Sequence, residues 1–87
     1  MFAGKTKSGF EYTLEDEALD DYELLETLQD IDEGEYNKVT KMVKMLLGDK
    51  QRDALKEHIR GKNGRVSAQK LIDEVMEMFS AANKSKN

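Results

Sequence analysis

Apolar residues recur every three or four positions along most of this chain, and that spacing constrains the fold more than any other feature of the sequence. A spacing near 3.6 residues is the period of an α-helix that buries one face. The chain has 87 residues and no proline, so glycine must mark where one helix ends and the next begins. Its length suits one small domain with a single core. The pattern therefore predicts a compact, mainly α-helical bundle, with residues 1–87 as one domain.

Four stretches carry the helical period, and each is bounded by a capping residue or a glycine. The first follows Asp20, whose carboxylate suits an N-cap, and stops at Gly34; Gly48 separates the second stretch from the third. The last follows Ser67 and has so wide an apolar band that we expect it to contact two neighbours and to be the central helix. The third has a thin apolar face and is expected at the periphery. The four predicted helices are Asp21–Glu33, Lys38–Leu47, Lys50–Arg60 and Ala68–Ala82.

Alternating apolar and polar residues replace the helical period at residues 10–14. This period of two, behind a Ser-Gly pair typical of turns, predicts a short strand. The strand either pairs with Phe2–Thr6 in a hairpin that lies on the helices or stays loose, because an isolated hairpin is only marginally stable in water. Residues 1–9 and 83–87 are expected to be flexible.

Charge is distributed unevenly along the sequence. From Glu11 to Tyr36 there are twelve acids and no base, whereas from Asn37 onward twelve bases accompany six acids. We interpret the acidic run as the solvent face of the first helix, with a charged docking surface as the alternative. The basic residues of the third helix are interrupted by acids and lack interleaved aromatic residues, and the net charge is −4. Nucleic-acid binding is therefore not expected.

No group of residues in the sequence indicates catalysis or a cofactor. The chain has no cysteine and one histidine, His58, which we expect on a helix face at the edge of the core. A zinc site or an activated nucleophile needs more imidazole or thiolate groups than this. The loop around Gly64 places Lys70 where a calcium-binding EF-hand requires a carboxylate. We therefore expect a protein that is not an enzyme and that has no metal or other cofactor.

The five methionines either fill gaps in the core or contribute to a binding surface. Core packing is the preferred interpretation for any one of them, whereas a methionine-rich surface would adapt its shape to an apolar partner. Helical-wheel positions assign Met42 and Met76 to buried stripes and leave Met45 and Met78 for the surface. Together with the wide apolar band of the last helix, they predict a partner-binding surface made of Met45, Leu71, Met78 and Phe79.

Four segments carry a resemblance to a known family: SGFE (Ser8–Glu11), ALDDYELLETLQDID (Ala18–Asp32), KMVKMLLGDKQRDALKEHIRG (Lys41–Gly61) and GRVS (Gly64–Ser67). In these the chain resembles the tail assembly chaperones, small proteins encoded with the tail genes of siphophages and prophages of Gram-positive bacteria. The resemblance implies a non-enzymatic helical protein that binds the tape measure protein and tail tube components during tail morphogenesis. It assigns no binding residue. Since no apolar run has the length of a signal peptide or a membrane span, we expect a soluble protein in the cytoplasm of the bacterial host, without membrane partners.

Two other classes of function remain open. A small phage-encoded regulatory or anti-host protein could use the acidic face of the first helix, with Glu23, Glu26 and Asp30, to imitate a nucleic acid. A small helical DNA-binding domain would instead use the basic residues of the third helix, such as Lys56 and Arg60. Self-association is a further expectation, because a domain of this size has a small core.

Overall fold

Two short strands and four α-helices make up residues 1–85, the part of the chain that the computed structural model describes. The mainly helical class with a short N-terminal hairpin is confirmed. In chain order the elements are β1 (Phe2–Lys5), β2 (Glu11–Leu14), α1 (Asp16–Leu19), α2 (Tyr22–Asp32), a 3-10 turn (Tyr36–Lys38), α3 (Val39–Ile59) and α4 (Ala68–Ser85).

β1 and β2 form an antiparallel hairpin in which Phe2 lies opposite Leu14. Successive side chains of a strand point to opposite faces, so Tyr12 and Leu14 are buried while their neighbours on β2 are exposed. Of the two sequence-based alternatives, the hairpin on the helices is the one observed. Residues 1–9, which we expected to be flexible, carry β1 and the following turn, and Thr6 within that turn is buried.

The apolar face predicted for the first helix contains Leu24, Leu25, Leu28 and Ile31. In α2 three of these are buried, whereas Leu25 is 46% exposed. The N-cap of α2 is Asp21, one residue later than predicted, and the Asp21 carboxylate accepts a hydrogen bond from the Glu23 backbone N–H at 2.9 Å. This bond satisfies one of the free N–H groups at the helix start. The four-residue helix α1 was not predicted, because a single turn is too short to show a helical period.

α3 runs through the glycine that separates two of the predicted helices. Gly48 has φ +78° and ψ +169°, a conformation outside the helical region that only glycine adopts readily. The predicted helices Lys38–Leu47 and Lys50–Arg60 therefore correspond to two parts of one interrupted element. In the second part Leu55 is fully buried, and the other residues are half-buried or exposed, which agrees with the thin apolar face predicted for it.

α4 lies against the hairpin and against α3, so its wide apolar band does contact two neighbours. The expectation that α4 is the central helix is wrong, because it is α3 that contacts every other helix and β2 as well. α4 extends beyond the predicted end at Ala82 to Ser85. It thus includes part of the tail 83–87 that we expected to be flexible, and residues 86–87 lie outside the described residues.

Candidate partner-binding surface

A groove between α2 and α4 leaves large apolar side chains in contact with solvent. Its volume is about 130 Å³, and it is lined by Leu28, Ile31, Asp32, Tyr36, Gln69, Ile72 and Met76. Two of these, Tyr36 and Met76, are 64% and 37% exposed. Tyrosine and methionine are among the residues enriched at protein–protein interfaces. We call this surface the α2–α4 groove.

The spacing of residues along the two helices explains the shape of the groove. On α4, Gln69, Ile72 and Met76 are three and four positions apart, so they share one face of the helix. On α2, Ile31 and Asp32 lie three and four positions after Leu28, so these residues likewise share one face. Leu25 lies three positions before Leu28 and is 46% exposed. A groove between two such helical faces is the geometry that accepts an amphipathic helix from a partner.

The surface around the groove is negatively charged. Asp32 lines it, and α2 contains no basic residue. The first base after α2, Lys38, is bound to Asp30 at 2.5 Å and lies 3.9 Å from Glu35. The hydrogen bond to Asp30 and the charges of nearby carboxylates raise the pKa of Lys38. The α2–α4 groove therefore suits a helix whose polar face carries lysine or arginine.

The four residues predicted to bind a partner do not form one exposed surface. Met78 is fully buried and Leu71 is 9% exposed. Met45 and Phe79 are half-buried and pack against the core. The predicted positions of Met76 and Met78 are reversed, because residues two apart on a helix are separated by roughly 200° and α3 and the hairpin cover the side of Met78. The prediction that Met78 is exposed is therefore wrong.

Two exposed tyrosines were missed by the sequence analysis. Tyr22 at the start of α2 is 71% exposed, and Tyr36 in the 3-10 turn is 64% exposed. Both lie within the acidic run from Glu11 to Tyr36. A run that only faces solvent needs polar residues and no large aromatic ones. A large aromatic residue in such a run was the available signal for a binding surface.

On the opposite side of α4, Ser8, His58 and Glu74 meet at an open cavity of about 460 Å³. The Ser8 hydroxyl lies 3.0 Å from His58 Nε2 and donates to Glu74 Oε1 at 2.9 Å. The Thr6 hydroxyl donates to the same carboxylate oxygen at 2.8 Å. Each hydroxyl has a single proton, so if Ser8 donates to Glu74, then His58 must donate to Ser8.

This arrangement is the reverse of what nucleophilic catalysis requires. In a serine–histidine–acid triad the imidazole accepts the serine proton, and the acid holds the other nitrogen of the imidazole. Here the Glu74 carboxylate binds the hydroxyl of Ser8 instead. The His58 ring lies against the core residue Phe10, with 5.4 Å between the ring centroids. We interpret the cluster as a structural link between the hairpin turn, α3 and α4.

Both arginines of the helix considered for DNA binding, Arg52 and Arg60, are engaged within the chain. Arg52 lies 3.2 Å from Asp49 and 3.2 Å from Asp53. Arg60 and Glu57 form an ion pair at 2.7 Å, which raises the pKa of Arg60 and lowers the pKa of Glu57. Phosphate groups would have to compete with these carboxylates for the guanidinium groups.

No protein family, curated protein or solved structure matches this chain. Among residues 1–85, no three His, Cys, Asp or Glu side chains are grouped so that they could hold a metal ion. Within the same residues no helix is long and apolar enough to cross a membrane. Of the surfaces described, the α2–α4 groove combines the largest exposed apolar side chains with a shape suited to a helical partner.

Proposed function

We propose that this protein is a non-enzymatic chaperone that holds an amphipathic helical segment of another protein in the α2–α4 groove. The observation that supports the proposal is the exposure of Tyr36 and Met76 beside a gap floored by Leu28 and Ile31, within an acidic surface. Apolar residues of the partner helix would cover Tyr36 and Met76. Its lysine or arginine residues would face the surrounding carboxylates.

The resemblance to tail assembly chaperones of siphophages and prophages suggests the partner. The tape measure protein is long and mostly helical, so before assembly it exposes amphipathic segments that favour aggregation. An acidic protein that covers such segments keeps them soluble until the tail tube components are added. The protein would act in the cytoplasm of the bacterial host. The groove is short, so one contact buries less than the roughly 1,200 Å² of a stable complex and should be reversible.

A pair of synthetic helical peptides tests the groove directly. The probe has leucines at positions i, i+3, i+4 and i+7 and lysines on its polar face, and the control peptide has glutamates in place of the lysines. We expect the lysine peptide to bind at least about tenfold more tightly at low salt, because only it complements the acidic surface. Fluorescence anisotropy measures both affinities, and equal affinities would contradict the proposed groove.

Substitutions in the chain locate the binding site. Met76→Ser and Tyr36→Ser are each expected to weaken binding of the lysine peptide by about tenfold, the effect of losing one central anchor. Tyr22→Ser is the matched control, because Tyr22 is 71% exposed but does not line the α2–α4 groove. A loss of affinity with Tyr22→Ser equal to that with Tyr36→Ser would place the peptide elsewhere.

The role in tail assembly is tested separately with fragments of a tape measure protein. We expect co-expression to keep helical fragments soluble and to give a complex on size-exclusion chromatography, and Met76→Ser to reduce its amount. If no fragment is solubilised and no complex is formed, the role in tail assembly is wrong, even where the lysine peptide binds.

A further inference from the structure

A second groove lies between the two parts of α3 and the start of α4. Its volume is about 310 Å³, and it is lined mainly by apolar side chains: Val39, Thr40, Val43, Arg52, Lys56, Val66, Ala68 and Leu71. We call it the α3–α4 groove. Both of its charged lining residues are basic. An apolar anchor flanked by carboxylates would therefore complement it in shape and in charge.

Lys56 is the cation of this groove that is available to a partner. Arg52 is paired with Asp49 and Asp53, and its side chain is only 28% exposed. Lys56 is half-buried, and it forms no salt bridge with any acid of residues 1–85. A carboxylate supplied from outside would give this partly desolvated ammonium a charge-assisted hydrogen bond.

The start of α2 presents the complementary surface. Tyr22 is 71% exposed and has a large apolar ring with a polar tip, the kind of side chain that serves as an interface anchor. Around it in the sequence are Asp20, Asp21 and Glu23, and Glu26 lies one helical turn further on the same side as Tyr22. Tyr22 does not line the α3–α4 groove of its own chain, so it can enter only the groove of another copy.

We propose that the protein associates head to tail with itself, with Tyr22 of one copy in the α3–α4 groove of the next and Glu26 facing Lys56. The two contacting surfaces are different, so a pair leaves one groove and one Tyr22 unused and can add further copies. This contact goes beyond the proposed function, and it leaves Tyr36 and Met76 accessible in every copy.

Analytical ultracentrifugation of the full chain tests the association. We expect the weight-average mass to rise with concentration beyond that of a dimer at low salt. It should fall towards the monomer mass of 9.9 kDa as salt is added, because salt screens contacts between exposed charges. A mass that stays at the monomer value up to roughly millimolar concentration would overturn the proposal, since even weak contacts of about 4 kcal/mol are populated there.

Two variants, each lacking one of the two contacting surfaces, distinguish a specific head-to-tail contact from nonspecific association. Lys56→Glu disables the groove, Tyr22→Ser removes the anchor, and each alone is expected to raise the dissociation constant by at least about tenfold. Mixed in equal amounts, they should form a heterodimer and nothing larger, because each supplies the surface that the other lacks. A mixture with the same mass as the separate variants would overturn the proposal.

The matched controls keep the charge or the residue type and change the position. Lys50→Glu has the same charge change as Lys56→Glu, but it lies two positions from Arg52 and so about 200° around α3 from the groove. Tyr36→Ser removes an exposed tyrosine from the other groove. Circular dichroism verifies that all variants are folded. Both controls should associate like the wild type, and an equal loss in either would contradict the assigned contact.

Discussion

The two sides of α4 differ in what covers them. On the hairpin side, Glu74 accepts hydrogen bonds from two hydroxyls of the hairpin turn, and Glu77 accepts one from a backbone N–H of the same turn at 2.8 Å. On the groove side, Ile72 and Met76 border the α2–α4 groove, and Met76 is 37% exposed. One side is thus held by polar contacts within the chain, while the other leaves apolar surface in water.

This difference indicates where the fold retains capacity for binding. Within residues 1–85 no buried side-chain nitrogen or oxygen lacks a hydrogen bond, so the hairpin side offers no unpaired buried group to a partner. The groove side exposes apolar area, and covering that area releases free energy. A partner therefore gains more by contacting the groove side. Three expected outcomes sharpen this comparison.

The largest effect is expected from Met78→Ala. Met78 is fully buried, so truncation removes apolar contacts and leaves a cavity, at a cost of about 2–5 kcal/mol in the free energy of unfolding. Met76→Ala, two positions away on the same helix, should cost less than about 1 kcal/mol, because solvent already reaches this side chain. Urea unfolding followed by circular dichroism measures both. Equal losses would mean that the buried and open sides of α4 are assigned wrongly.

The positions of the helices could be predicted from the sequence because they depend on local patterns. Apolar spacing and capping residues placed α2 and α4 within three residues of their observed ends. Gly48 was recognised as an interruption, since only glycine readily adopts its backbone conformation. Each of these signals involves residues close in sequence, which is why a single sequence contains them.

The exposed side of each helix depends on contacts between distant residues and could not be predicted in this way. The apolar band of α4 includes both Met76 and Met78, and the helices and hairpin that pack on it decide which one is covered. The hairpin is fixed in part by the bond from Thr6 to Glu74, which are 68 positions apart in the sequence. A local period carries no information on such a contact, so the buried Met78 was predicted to bind a partner and the exposed Tyr36 was missed.

A smaller effect is expected from Glu74→Ala, which tests the hairpin side. The substitution leaves the Thr6 and Ser8 hydroxyls without their acceptor. It should lower the free energy of unfolding by about 1–2 kcal/mol. The loss of a fully buried charged acceptor would cost more, but this site is partly exposed to solvent. Asp73→Ala is the control, because Asp73 is exposed and accepts from Gln69 on its own helix. It should cost less than about 0.5 kcal/mol.

Amide hydrogen exchange shows where Glu74→Ala acts. We expect faster exchange in the hairpin turn, including the Phe10 N–H, which donates to the Thr6 hydroxyl at 3.1 Å. Amides of α2 should be protected as in the wild type, because α2 lies on the other side of α4. If the amide exchange rates of the hairpin turn are unchanged, apolar contacts alone hold the hairpin on α4. The hydrogen bonds to Glu74 would then not explain the stability of this side.

The smallest effect is expected at alkaline pH and concerns Tyr12, a buried residue of β2 in the hairpin. Burial raises the pKa of the Tyr12 phenol above its usual value of 10.0, and the Glu77 carboxylate adds to the rise. Because the folded pKa exceeds the unfolded one, the neutral phenol stabilises the fold fully below pH 10. That contribution is lost as the pH rises above 10 and through the folded pKa. We expect the free energy of unfolding to fall over this range in the wild type.

Tyr12→Phe isolates this contribution from the other groups that titrate in alkali. The variant has no phenol, so its free energy of unfolding should fall less steeply above pH 10 than that of the wild type, in urea titrations at pH 8 and pH 11. Glu77→Gln should lessen the wild-type fall, because the carboxylate is one cause of the raised pKa. Identical alkaline slopes in wild type and Tyr12→Phe would show that Tyr12 is solvated in the folded state. Solvent would then reach under the hairpin, and the hairpin side of α4 would not be closed. The contrast between a closed hairpin side and an open groove side would fail.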